Sequence, residues 1–155
     1  VRMIGTPNLA HKSAFQSAVK AAPSDWLDNS APVALMTLGI GESGGLLSAM
    51  AADPEAFGYR GLVIGAMGGG HVPSWTCETV ETLAGRMPVV MAGRIQQGYL
   101  LKKTYERDGS ELDLARRGVL SAGRLPPLKA RVLLTLMLMA ELDADAMERV
   151  WVSLN

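Results

Sequence analysis

Short apolar runs that alternate with helix-period stretches are the feature that most limits what this chain can become. Val33 to Leu38, Leu62-Val63-Ile64, Pro88-Val-Val-Met91 and Val119 to Ala122 are each of strand length. Near-continuous apolar runs of this kind suit strands covered on both faces, as in parallel sheets. Helix signals lie between them. Leu46, Leu47 and Met50 follow the first run, with Ser43 placed to cap their helix and Asp53-Pro54 to stop it. Val80, Leu83, Ala84 and Met87 fall at i, i+3, i+4 and i+7 in a helix opened by Pro73 and Ser74. Ser110 caps another, with Asp113 three residues on and Gly118 as its stop. Pro126-Pro127 open a helix carrying Leu128, Val132, Leu133, Leu136, Leu138 and Met139, apolar nearly all round and so expected to be buried. Met147, Val150, Trp151 and Leu154 mark a last amphipathic helix. Strands alternating with helices predict parallel pairing, right-handed crossovers and helices on both faces, in a small doubly wound α/β domain.

Residues 1–31 show no sustained period and carry Pro7, Pro23, Ser24-Asp25 and Asp28-Asn29-Ser30. They are read as a linker or the tail of an upstream domain, with the α/β domain over 32–155. The 15 Lys and Arg residues balance 15 Asp and Glu, which gives no electrostatic argument for a nucleic-acid or anionic-membrane partner. Cys77 is the only cysteine, and only His11 and His71 are present among histidines. A disulfide framework and a histidine-based metal site are therefore not expected, and no cofactor is. Val132 to Ala140, the longest apolar run, is about half the ~20 residues of a membrane span. Cytoplasm is the expected compartment, although the chain begins at Val1 and a natural start with an export signal can precede it.

The stretch Leu38 to Leu47, LGIGESGGLL, carries two overlapping motifs. Gly39-Ile-Gly41-Glu-Ser-Gly44 has the G-x-G-x-x-G spacing of a dinucleotide-binding turn, but the next strand ends at Ile64-Gly65-Ala66-Met67 without the carboxylate that holds ribose hydroxyls. Gly41-Glu-Ser43-Gly-Gly45 has the G-x-S-x-G spacing of a hydrolase elbow, with Asp53 or Glu55 and His71 following in order. Only one strand separates Ser43 from His71, too few for that architecture. A helix cap beside a glycine-rich turn is the favoured reading of Ser43.

The second glycine loop, Gly68-Gly-Gly70-His71-Val72-Pro73, follows the second strand and precedes a helix. Ligands of open parallel sheets bind beyond the carboxyl ends of the strands, and glycines let backbone approach them closely. A tight turn in which His71 merely packs is the competing reading. Arg94, Lys102, Lys103 and Arg107 make the following loop basic; long loops of this kind are solvated but often contribute to sites.

Several of these segments, taken in order, resemble the C-terminal domain of bacterial-type L-asparaginases. They are Gly58-Tyr-Arg-Gly-Leu-Val-Ile64, Gly68-Gly-Gly-His-Val-Pro73, Met87-Pro-Val-Val90 with Arg94, Ser110-Glu-Leu-Asp-Leu114 with Arg117-Gly118, and Pro127-Leu-Lys-Ala-Arg-Val-Leu-Leu134. Phe15-Gln-Ser17 is similar to the end of the stretch joining the two domains of that family. The resemblance implies a flavodoxin-like three-layer sandwich of about four parallel strands, working in a homodimer or tetramer. It implies hydrolysis of L-asparagine to L-aspartate and ammonia by a full-length enzyme whose nucleophilic threonine lies in another domain. No Thr-Gly-Gly-Thr or Thr-Asp-Thr segment occurs here, so this chain alone is expected to be inactive. The resemblance assigns Gly70 and His71, at a position often Asn in the family, to the amino end of the substrate in a neighbouring subunit. It assigns the ammonium-binding carboxylate of the following loop to Glu106. Two alternatives stand beside it: a non-catalytic amino-acid-binding or assembly module, and a serine hydrolase built on Ser43.

Overall fold

The computed structural model of the chain describes residue 16 and residues 31–95 and 98–153. The expected linker, apart from Gln16 and Ala31, falls outside these residues, as do His11, Phe15 and Leu154. Four parallel strands form one sheet in the order β1 (Val33–Thr37), β2 (Gly61–Ala66), β3 (Val89–Gly93), β4 (Leu120–Ser121). The register pairs Leu35 with Val63, Val63 with Val90, and Val90 with Leu120. Between β1 and β2 lie α1 (Gly45–Ala52) and α2 (Pro54–Phe57). A 3-10 turn (Ser74–Thr76) runs into α3 (Cys77–Ala84) before β3, and α4 (Glu111–Arg116) precedes β4. Two helices, α5 (Pro127–Met139) and α6 (Ala144–Ser153), follow the last strand.

The alternation of side chains along each strand divides the interior into two layers. Leu62, Ile64, Ala66, Val89 and Met91 face a cluster with Leu47, Met50, Val80, Leu83 and Leu114. Val63, Val90 and Ala92 face the other, with Ala31, Leu134, Met137 and Trp151. The strand order explains which helices lie where. Right-handed crossovers between strands added in one direction put every crossover helix on the same face. The opposite face is covered because α5 and α6 return across it after β4. Helices thus flank both faces of the sheet, as the strand–helix alternation implies.

The packing of α5 departs from expectation. Ala130, Leu133, Leu134, Met137 and Leu138 form its buried face, whereas Leu128 and Val132 are 68% and 54% exposed. A helix laid on one side of a sheet keeps a solvent side whatever its composition, and apolar residues there do not bury it. Its close approach is set by Gly61, where an added Cβ would lie 3.0 Å from Leu134.

Caps also differ in detail. Gly44, in the left-handed region, occupies the N-cap position of α1, while Ser43 Oγ accepts the Gly45 amide. Ser110 does stand at the N-cap of α4, but its hydroxyl donates to the Tyr105 carbonyl; Asp113 Oδ2 instead accepts the Gly109 amide. Asp53 accepts from the Ala56 amide and starts α2.

Leu134→Ala removes a fully buried side chain and should destabilise by about 2–5 kcal/mol. Leu128→Ala should change stability by less than about 0.5 kcal/mol. Urea denaturation of the two variants tests whether α5 is one-sided as described.

Candidate functional site

The sheet's carboxyl edge carries two loops that fold on each other. After β2 the chain turns sharply: the Met67 carbonyl accepts the amides of Gly70 and His71, and the His71 carbonyl accepts the Met67 amide. Gly68 and Gly70 have φ of 50° and 120°, a region that side chains other than glycine rarely adopt. The loop after β3 packs over this turn. Leu101 donates its amide to the Gly69 carbonyl and Val72 donates to the Gly109 carbonyl. A Cβ on Gly69 would collide with Leu101, and one on Gly109 would lie 2.4 Å from the Val72 carbonyl oxygen.

At this junction His71 meets Glu111, the first residue of α4. Their side chains are 16% and 2% exposed, and His71 Nε2 lies 4.0 Å from Glu111 Oε2. Both atoms are buried without a hydrogen-bond partner. The other carboxylate oxygen, Oε1, accepts the amides of Thr104 and Tyr105 at 2.6 and 2.8 Å. The Tyr105 ring stands edge-on to the imidazole, with centroids 5.1 Å apart. Glu111 therefore shapes the loop through one oxygen and presents the other to His71.

The electrostatics follow from these contacts. Burial alone would raise the pKa of Glu111, but the Tyr105 and Thr104 amides and the His71 charge outweigh it and hold the carboxyl below its ordinary value. Asp113 behaves alike: burial is overcome by Arg117 and by the Gly109 amide. Arg117 also bridges to Glu81, tying α4 to α3. The Cys77 thiol is pushed up to about 11, chiefly by burial and then by Asp113, so it is not a thiolate at neutral pH.

Gly70 and His71 lie together at this site, but Glu106 does not join them. Its side chain is 76% exposed and its Oε1 lies 3.6 Å from Arg116. The buried carboxylate is Glu111, which sequence reasoning passed over as part of a helix cap. A usable signal was present: Glu111 stands three residues before buried Leu114 and shares its helix face.

The other candidates serve local structure. The guanidinium of Arg94 covers Gly39 and donates through Nε to the Ala66 carbonyl, filling the space that the G-x-G-x-x-G turn would need to open. Ser43 is spent on the Gly45 amide, and His71 Nε2 has no hydrogen bond to it. Asp53 and Glu55 follow α1, which runs back from the carboxyl edge, so they sit at the opposite end of the sheet from His71. The Ser43 constellation is thus not assembled. Among the described residues no group of three or more His, Cys, Asp or Glu could hold a metal, and no helix is long and apolar enough to cross a membrane.

Fold and candidate site together define an α/β domain whose sheet ends at its carboxyl edge in two interlocked loops. The chain belongs to the glutaminase/asparaginase C-terminal domain family, whose model matches residues 32–151. It is similar to a probable periplasmic L-asparaginase of Haemophilus influenzae, 31% identical over 93 residues that make up 59% of this chain and 25% of that protein. Its fold matches the crystal structure of a probable cytoplasmic L-asparaginase from Campylobacter jejuni with a TM-score of 0.63 and 23% identity, covering 79% of this chain and 35% of that one. The chain thus spans well under half the length of either protein.

Gly41 and Gly109 both have positive φ, but only Gly109 is crowded. Gly41→Ala should cost about 1–2 kcal/mol, the cost of left-handed backbone. Gly109→Ala should cost clearly more and shift the amide resonances of Thr104 and Tyr105. The carboxyls of Glu111 and Asp113 titrate lower in the folded chain than their ordinary values of 4.5 and 3.8. Their stabilisation is therefore complete above those values and is lost as the pH falls through the lowered ones. Glu111→Gln should lower Tm at pH 7 and lower it less as the pH falls below 4.5, measured by calorimetry across pH.

Proposed function

We propose that this chain is the C-terminal domain of an asparaginase-type amidohydrolase, working in a homodimer or tetramer. The complete enzyme converts L-asparagine and water to L-aspartate and ammonia. In that enzyme a threonine of another domain attacks the side-chain amide. This domain supplies oligomer contacts and a wall that positions the amino end of the substrate in a neighbouring subunit.

The observation that carries this reading is the pair of buried, unpartnered atoms at the glycine loop, His71 Nε2 and Glu111 Oε2, 4.0 Å apart. Unsatisfied buried polar groups are costly and point to a role beyond packing. The Glu111 oxygen is an acceptor, and His71 Nε2 becomes one when the ring is uncharged. An ammonium nitrogen about 2.9 Å from each would span them and satisfy both. Gly70, at φ 120°, lets the chain turn directly into His71. The geometry supports Glu111, rather than the exposed Glu106, in the carboxylate role that the resemblance gives to this loop. Both atoms are covered in the isolated chain, so entry requires the loop around Tyr105 to yield.

The same arrangement suits a non-catalytic amino-acid-binding module, and activity separates the two. The chain alone should release no ammonia from L-asparagine or L-glutamine, and should turn over no activated ester that Ser43→Ala abolishes. In an enzyme carrying this domain beside its nucleophile-bearing partner, His71→Ala and Glu111→Gln should raise KM more than they lower kcat. Glu106→Gln should leave both nearly unchanged. An unaltered KM in the His71 variant would sink the positioning role.

A further inference from the structure

The solvent side of α5 carries charges set against the helix's own dipole. Acidic groups in the first turn of a helix and basic groups in its last turn stabilise it. α5 has neither. Lys129 stands instead in its first turn, with Arg131 just beyond, and Glu141, Asp143 and Asp145 follow its C-terminus. All five are exposed, and none forms an ion pair within 4 Å with any described residue. Glycines aside, Glu141 is the described residue with positive φ, at 52°, a backbone conformation that disfavours a Cβ. These charges do nothing for α5 by itself.

An apolar stripe runs between the two charged ends. Leu128 and Val132, one turn apart, are 68% and 54% exposed, and half-buried Leu136 lies one turn further on. The opposite side of α5 is taken up by the sheet through Ala130, Leu133, Leu134 and Met137. Basic, apolar and acidic segments in that order along one face are complementary to the same face reversed. An unrelated partner requires only that its own surface match this one, whereas a second copy requires that the two ends match each other. An antiparallel second α5 brings opposite charge to both ends and opposes the helix dipole as well.

We infer that the solvent side of α5 is a docking surface for a second copy of this chain, the two helices lying antiparallel about a two-fold midway between Val132 and Leu136. In that register Val132 meets the second copy's Leu136, and Leu128 meets its Ala140. Lys129 comes within two residues of the second copy's Glu141, ~3 Å along the helix axis, and the same contact recurs across the two-fold. α5 covers the face of the sheet opposite α1 and α3 and lends no residue to the glycine-loop site. The inference therefore goes beyond the function proposed above: this contact needs no substrate.

The test is sedimentation equilibrium of this chain, followed up to a concentration of about 1 mM. The stripe is small, so the expected dimer is weak, with a Kd on the order of 100 µM. Lys129→Glu and Glu141→Lys each set like charges against each other at both ends, and each should weaken self-association about tenfold. Lys129→Glu also complements the dipole of its own helix, so the Tm of the monomer should not fall, which separates lost association from lost folding. An equimolar mixture of the two variants should regain the wild-type affinity as a heterodimer. A wild-type chain that stays monomeric throughout would overturn the inference and assign the stripe to a different partner. A dimer that neither variant weakens would overturn it by placing the contact on another face, and so would a mixture that regains nothing. Each of these results leaves the KM test of His71 standing.

Discussion

Every residue of β2 is buried, and much of the molecule is a consequence of that burial. A strand covered on both faces can carry no side chain that needs water, so Gly61 to Ala66 hold only small or aliphatic residues. Leu62 and Ile64 serve one core layer and Val63 the other. The helices of both layers are drawn in against this strand and β3. Chemistry is thereby excluded from the sheet itself and displaced beyond its carboxyl edge, where backbone polar groups end and loops begin. The glycine turn at Gly68 to Gly70 is the first place after β2 where the chain has that freedom.

The elements most readable in the sequence are those decided by burial alone. β1, β2 and β3 were visible as the apolar runs Val33 to Leu38, Leu62 to Ile64 and Pro88 to Met91, and α1 and α3 as helical periods, because most of these residues lie in the core; Leu46, read with Leu47 and Met50, is 60% exposed. Less readable were features that depend on which side a neighbour occupies. Nothing local distinguishes Leu128 from Leu134 on α5, since both are leucines in a strong helix. Only the side on which the sheet lies makes one a solvent residue and the other a fully buried one. β4 pairs only at Leu120 and Ser121, although β3 beside it continues to Gly93.

Half of the candidate site was legible and half was not. Gly70 and His71 stood out because a run of glycines after a strand lies where ligands of a parallel sheet bind, although the same glycines also serve a tight turn. Glu111 did not, because its position looks like an ordinary acidic first turn of a helix. Its buried setting arises from the loop of residues 98–110 folding back so that the amides of Thr104 and Tyr105 reach its carboxylate. That fold-back depends in turn on Gly109, which has no side chain to strike the Val72 carbonyl. Glu106 was the more conspicuous carboxylate, being on the loop proper, yet its exposure and its approach to Arg116 make it a surface ion pair of small weight.

The contrast between these two carboxylates shows how the fold sets what each can gain from a partner. An exposed carboxylate such as Glu106 is already satisfied by water, so an arriving cation gains little beyond what it gives up in solvation. A buried one lacking a partner on one oxygen has no water to lose there, and a matching donor removes an existing penalty instead of exchanging one hydrogen bond for another. Glu111 bears that penalty on Oε2 because Oε1 is held by two amides that fix the carboxylate in place. The unmet valence is stable only while those amides hold, which makes the loop and the acceptor pair parts of one device. The covering loop and the group it covers cannot be altered separately: a change that loosens the Thr104–Tyr105 backbone also frees Glu111 to reach His71 or solvent, and the preorganised gap between the two acceptors is lost.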